Sequence, residues 1–303
     1  MNKDTHVTIP ICLVTGFLGS GKTTFLKKIV EQHRAQKLVY IINEFSPHDI
    51  DGAIVSKENP DVVSIPGGSI FCKCLVTEFI GQLTSIPKMF EGVAGVVIEA
   101  SGMANPKVIA DMLHETKLDD RYTLANVVSI VDPGSFMKLR NILPNISAQI
   151  EASDSVIINK TDLYADETIT ETEKVIKNIN PTSFVFKSVN ADIDIELFNT
   201  AATRDLHGEY AKCKDPAYES ATLKITQNID INELRQRLLA VEDDLYRVKG
   251  CLPTAAGTVS VEYTKSGLTI SPADTDEDTI VIIMRGTPPA DTRNLIAWLS
   301  AQT

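Results

Sequence analysis

A chain of 303 residues with 43% hydrophobic and 23% charged residues has the length for one large or two medium globular domains and an ample core. Its net charge of -11 argues against nucleic-acid binding, which needs a basic face. No apolar stretch reaches the roughly 18–20 residues of a membrane helix, and the N-terminus lacks the apolar segment and cleavage site of a signal peptide. Five scattered cysteines form no disulfide framework, so a reducing cytoplasm is the expected location.

In chain order, the strand candidates are IPICLVT (9–15), KLVYIIN (37–43), DVVSIP (61–66), VAGVVIEA (93–100), ANVVSIVD (125–132), DSVIIN (154–159) and SFVFKS (183–188). Most are continuous apolar runs, the pattern of parallel strands covered on both faces. Helical spacing appears between them in TTFLKKIVEQH (23–33), PKVIADMLHET (106–116), SFMKLRNIL (135–143) and the polar ETITETEKVIKNIN (167–180), which Pro181 ends. The alternation predicts βαβ units, an α/β domain over 1–195 with a mostly parallel sheet and helices on both faces. A polar stretch, 196–217, reads as a linker. Beyond it SATLKIT, GTVSVEYT, GLTISP and DTIVIIMRG read as strands, with a hairpin at Lys265-Ser266. INELRQRLLAVE and DTRNLIAWLSAQ read as helices, and the whole predicts a small α+β domain over 218–303.

The strongest motif is Gly16-Phe17-Leu18-Gly19-Ser20-Gly21-Lys22-Thr23-Thr24, a complete G-x-x-x-x-G-K-[ST] pattern between a strand and a helix. Its glycines let backbone N–H groups face phosphate oxygens, aided by the helix N-terminus. Lys22 is expected to reach the β- and γ-phosphates, and the Thr23 hydroxyl to hold Mg²⁺. After the sixth strand comes Asn159-Lys160-Thr161-Asp162. A carboxylate there can accept from both guanine N1–H and its amine, donors adenine lacks, so the nucleotide is expected to be GTP. Asn159 is expected against the base edge and the Lys160 stem over its face. In Val97-Ile98-Glu99-Ala100-Ser101-Gly102 the strand aims Glu99 at the P-loop mouth, towards the water shell of Mg²⁺. Gly102 can bring a backbone N–H to the γ-phosphate and swing when it leaves. Taken alone, Glu99 could equally cap a strand. No side chain stands out as a general base, so slow intrinsic hydrolysis is expected.

These motifs together resemble the CobW family of P-loop GTPases, relatives of the urease and hydrogenase nickel-accessory GTPases. GFLGSGKTT, INEF (42–45), IEASGMANP (98–106), SIVD (129–132) and NKTD (159–162) follow in the family's order, and Tyr246-Arg247-Val248-Lys249-Gly250 resembles an element of its C-terminal domain. The resemblance implies a GTPase that delivers zinc or cobalt to a client metalloprotein or corrinoid protein, and that dimerises or docks with that client. The chain departs from the family at Gly68-Ser69-Ile70-Phe71-Cys72, where members carry Gly-Cys-x-Cys-Cys. Ser69 and Phe71 replace two cysteines, and Cys74 lies beyond the motif. The element Asn43-Glu44-Phe45-Ser46-Pro47 also lacks the family's second glutamate.

Two thiolates cannot complete a tetrahedral zinc site. Cys72, Cys74 and Glu44, with His48, Asp49, a second protomer or the client, are the candidate ligands for Zn²⁺ or Co²⁺. The alternatives are two ordinary reduced thiols or, third, a redox pair. Cys12 reads as core, while Cys213 and Cys251 have no partner in sequence. His33 and His114 fall near helix ends, where a cation complements the dipole. Three functions follow: a metallochaperone GTPase, a GTP-dependent activator of a metalloenzyme that carries no metal, and a nucleotide-dependent scaffold with negligible hydrolysis.

Overall fold

In the computed structural model, described at residues 8–44, 62–66, 69–72, 75–198, 206–210, 218–275 and 277–302, the apolar runs become strands, the central ones buried on both faces and the edge strand at 184–187 partly exposed. They are β1 (Ile9–Thr15), β2 (Leu38–Glu44), β3 (Val62–Pro66), β4 (Gly95–Glu99), β5 (Tyr122–Val131), β6 (Ser155–Ile158) and β7 (Phe184–Lys187). They form one sheet in the order β3-β2-β4-β1-β5-β6-β7, with every pairing parallel. Alternate residues of each strand feed opposite cores. Ile11 and Leu13 pack with Phe79, Leu83 and Ile86 of α2 (Val76–Met89) and with Val108 and Met112 of α3 (Val108–Glu115). Cys12 and Val14 pack with Phe25, Leu26 and Ile29 of α1 (Lys22–Gln32). Helices thus cover both faces, as an all-parallel sheet requires.

Three local features of this part of the chain depart from the sequence reading. Helix α2 was not anticipated, because Gly81, Pro87 and interspersed polar residues obscure its apolar stripe at Phe79, Leu83 and Ile86. The single helix expected at 135–143 is two, α4 (Pro133–Leu139) and α5 (Pro144–Glu151). Asp132 caps the first, accepting from the backbone N–H of Gly134 and Ser135, and Pro144 opens the second at a position where no N–H is needed. Within the stretch expected as a linker, Leu197 and Leu206 are buried in the cores of the parallel sheet, because apolar residues there have a surface to cover. The polar helix is α6 (Asp166–Ile179).

By its contacts the chain divides into two compact units, 1–213 and 214–303. The second holds β8 (Tyr218–Lys224), α7 (Ile231–Ala240), β9 (Leu245–Thr254), β10 (Gly257–Thr264), β11 (Gly267–Pro272), β12 (Thr279–Arg285) and α8 (Ala290–Ser300). Its strands run antiparallel in the order β11-β10-β9-β12-β8. Lys265 and Ser266 make the expected two-residue turn, with Thr264 opposite Gly267. Strand β9 was not anticipated, since Arg247, Lys249 and Pro253 break its apolar pattern. Leu234 and Leu238 of α7, with Leu295 and Leu299 of α8, cover Val248, Ile280 and Ile282. Among the described residues no helix is long and apolar enough to cross a membrane.

Candidate nucleotide and metal site

In a parallel sheet all strands end at the same edge, so the loops after β1, β4, β6 and β7 emerge together. The loop after β1 lies where chain connections diverge, between β4 and β5, the place where open α/β sheets bind ligands. That loop is the P-loop. Gly16, Gly19 and Gly21 have φ of 136°, 73° and 111°, values that disfavour other residues. A Cβ on Gly16 would strike the Ile130 carbonyl oxygen, so the chain also needs glycine there for space. Helix α1 starts at Lys22 without a side-chain cap, leaving its first N–H groups for an anion. The buried Ser20 hydroxyl has no hydrogen-bond partner among the described residues. Lys22 is 6% exposed and its Nζ lies 3.3 Å from the Phe17 carbonyl oxygen, folded over the loop. Thr23 is half-buried and Thr24 exposed. Open amides, an unsatisfied hydroxyl and an adjacent ammonium fit a phosphate chain.

Glu99 ends β4, in register with Val14 of β1 and Ile42 of β2, and is 4% exposed. A carboxylate this buried at the sheet's central edge fits a nearby cation. The turn 101–104 lies against the P-loop: a Cβ on Gly102 would sit 2.8 Å from Leu18 N. Its carbonyls are held by side chains of α5. Gln149 Nε2 donates to Gly102 O and to Ala104 O, each at 3.2 Å, and Asn145 Nδ2 donates to Met103 O at 2.7 Å. Lys107 pairs with Glu151 one turn on. Neither amide of α5 stood out in sequence, since Asn and Gln on a short helix carry no signal of what they face.

Asn159, expected against a base edge, is bonded within the protein. Its Nδ2 donates to Ser20 O at 2.9 Å and its Oδ1 accepts from Ala191 N at 2.8 Å. It thereby ties the P-loop to the loop after β7, where Asn190 and Ala191 adopt positive φ. That loop went unread in sequence; only its place after the last strand could have pointed to it. Lys160, also at positive φ, places its ammonium 2.8 Å from the buried Asp132 carboxylate. The same carboxylate accepts from Tyr164 Oη at 2.6 Å and from Gly134 N at 3.0 Å. Asp162 stands exposed in a single 3₁₀ turn, Thr161–Leu163, where a base can reach it.

The turn before α2 explains what replaced the two family cysteines. Ser69 Oγ accepts from Phe71 N at 3.2 Å, and Phe71 is fully buried, edge-on to Phe79 with ring centroids 6.2 Å apart. Both positions now have structural work. Cys72 is 95% buried at the end of this turn, its N–H bonded to Ser69 O. Cys74, His48 and Asp49 lie outside the described residues, as do Phe45, Pro47, Gly68 and Cys213, and of Glu44 only the backbone is described. No metal-ready cluster of three or more His, Cys, Asp or Glu occurs among the described residues. His114 bonds Asp119 at 2.8 Å on the surface, and His33 ends α1. Cys12 is fully buried, which pushes its thiol up to about 12. Burial, with the charge of Glu277 adding to it, also raises Cys251.

The CobW/HypB/UreG nucleotide-binding domain, as a family model, matches residues 10–187. The chain belongs to this family of P-loop GTPases. Among curated relatives, the CobW/HypB/UreG chain is 27% identical over 264 residues to the zinc chaperone YjiA of Escherichia coli (strain K12), covering 80% of itself and 81% of that protein. It is 26% identical over 231 residues to zinc-regulated GTPase metalloprotein activator 1 of Dictyostelium discoideum, covering 63% of itself and 48% of the relative. Among solved structures, the Zn(II)-bound YjiA GTPase from E. coli aligns over 97% of this chain and 99% of its own, at 23% identity and a TM-score of 0.49.

Proposed function

We propose that the protein is a metallochaperone that couples Mg-GTP binding and hydrolysis to delivery of zinc, or cobalt, to a client metalloprotein or corrinoid protein. The observation that carries the nucleotide half is the convergence of the P-loop, Glu99, Gly102 and Asp162 at one edge of the parallel sheet. The metal half draws support from relatives named as zinc chaperones and as a zinc-regulated GTPase.

In this reading the amides of 19–23 and Lys22 hold the phosphates, and Asp162 selects guanine. The Thr23 hydroxyl and, through water, Glu99 would hold Mg²⁺, which would offset the charge of the phosphates. The Gly102 N–H senses the γ-phosphate. Catalysis then rests on positioning and charge neutralisation, in keeping with a slow rate and no obvious base. Cys72, Cys74 and Glu44 contribute metal ligands, with the client or a second copy of the chain completing the set.

A second reading, a GTP-dependent activator without metal, draws on Ser69 and Phe71 being committed to the fold. Anaerobic Zn²⁺ and Co²⁺ titration separates the two, in wild type and in Cys72→Ser/Cys74→Ser, with Mg-GDP or a non-hydrolysable GTP analogue. The chaperone reading expects one site, visible as a cobalt–thiolate charge-transfer band, that shifts with nucleotide and vanishes in the double variant. Absence of metal binding, or indifference to both nucleotide and mutation, favours the activator. Hydrolysis that stays negligible with and without lysate would leave a scaffold.

A further inference from the structure

We propose that Asn43 is a positioning residue that couples the turn meeting the γ-phosphate to the turn carrying Cys72. The inference rests on the reading of Gly102 as γ-phosphate sensor. Asn43, near the end of β2, is 3% exposed. Its Oδ1 accepts two backbone N–H groups from separate loops, Ile70 at 2.9 Å and Ser101 at 3.2 Å. Its Nδ2 donates to Ile65 O, the last part of β3, at 2.9 Å. One carboxamide oxygen is therefore shared between the residue preceding Gly102 and the residue two before Cys72.

Each of the two turns is closed by a hydrogen bond of its own. The 101–104 turn is closed by Ala104 N donating to Ser101 O at 2.9 Å and is held on its far side by Gln149. The 69–72 turn is closed by Cys72 N donating to Ser69 O at 2.9 Å. It runs into α2 through Cys72 O, which accepts from Leu75 N and Val76 N. Ile70 and Phe71 are fully buried, so this turn cannot shift without repacking its contacts beneath the sheet. A displacement of Gly102 towards a γ-phosphate carries Ser101 N–H with it and changes its bond to Asn43 Oδ1. The same oxygen, freed or drawn along, alters its hold on Ile70 and hence the ease with which the Cys72 turn opens. A buried carboxamide with all its bonds inside the protein transmits such a change because no water competes for it.

The test is the rate at which N-ethylmaleimide alkylates Cys72 in the full chain, which reports opening of the turn. Trypsin cuts at Lys73, so Cys72 and Cys74 fall in separate peptides for mass spectrometry; Cys12 is an internal blank. Rates are compared with Mg-GDP and with a non-hydrolysable GTP analogue, and binding of each is followed with a fluorescent guanine nucleotide. In wild type the two rates should differ about fivefold, an ordinary allosteric coupling. Asn43→Leu should bind both nucleotides but bring the ratio to unity. Asn43→Asp, which in its protonated form reproduces the bonds to Ile65, Ile70 and Ser101, should restore the difference at a pH where it is protonated. Should the leucine variant not fold, Asn43→Ser serves, its hydroxyl being too short to reach both N–H groups. Equal rates in a wild type that binds both nucleotides overturn the coupling alone, as does a ratio that survives in Asn43→Leu or Asn43→Ser. A wild type that binds no guanine nucleotide overturns the underlying reading as well.

Discussion

The two sheets connect their strands by different routes. In the antiparallel sheet of 214–303, β9, β10 and β11 pair in chain order and a two-residue turn at Lys265-Ser266 sets the register of β10 and β11, while β12 closes the sheet against β9 and β8. In the parallel sheet β1 pairs with β4 and β5, and each connection crosses a face of the sheet. The first route specifies the β9–β11 meander locally. The second throws loops from distant parts of the chain onto one edge, which is why the P-loop, Glu99 and the loop of Asp162 meet there. Chemistry concentrates where topology is non-local, and substitutions in the two units should separate accordingly.

The largest separation is expected for Asp162→Asn. Loss of the carboxylate that accepts from guanine should weaken GTP by about a thousandfold while leaving both sheets folded. Xanthosine triphosphate, which presents a carbonyl in place of the amine, should gain in return; competition binding reads both. The counterpart in the second sheet is Gly250→Ala. A Cβ there would press on Thr279 O and lie 2.6 Å from Ile280 Cα, backbone that cannot yield cheaply. Destabilisation of about 2–4 kcal/mol is expected, confined to one transition in denaturant unfolding, with GTP affinity unchanged. A single merged transition would break the division into two units.

Within the parallel sheet, Gln149→Leu removes both bonds that hold the Gly102 and Ala104 carbonyls. The preference for a GTP analogue over GDP should fall by about three- to tenfold, the worth of one or two hydrogen bonds, with the P-loop and Asp162 unchanged. The smallest effect concerns the segment 206–210, which lies along α3. His207 Nδ1 and Gly208 N bond the Asp111 carboxylate at 2.7 and 3.1 Å. Burial pushes the Asp111 carboxyl up, but the Gly208 N–H, the His207 bond and charge, and His114 outweigh it and hold it below its ordinary 3.8. A lowered folded value means this contribution is fully present above 3.8 and fades as pH falls through the folded value. The Gly208 amide resonance should therefore titrate with a midpoint below 3.8, and Asp111→Asn should abolish that step.

Much of the phosphate half was readable in order along the chain, because its requirements are local. Glycines at positive φ, a lysine and a threonine at the start of a helix form one uninterrupted segment. The surroundings of the Asn159–Asp162 segment were read only in part. Asn159-Lys160-Thr161-Asp162 is contiguous, but the bond from Asn159 to Ala191 joins residues 32 apart. Asn145 and Gln149 escaped notice because their targets are backbone carbonyls, which have no sequence signature. Helix α2 and strand β9 escaped because polar and imino residues interrupt patterns that tertiary burial enforces anyway.

By itself the sequence determined the alternation of strands and helices, the phosphate-binding segment and a carboxylate suited to guanine, since each depends on residues adjacent in the chain. Only the tertiary structure decided that Ser69 and Phe71 serve the fold, that Asn159 braces the P-loop, and that Asn43 touches two turns at once. Those roles depend on which loops a parallel sheet brings to its edge, and on which buried N–H and C=O groups are left for a side chain to satisfy.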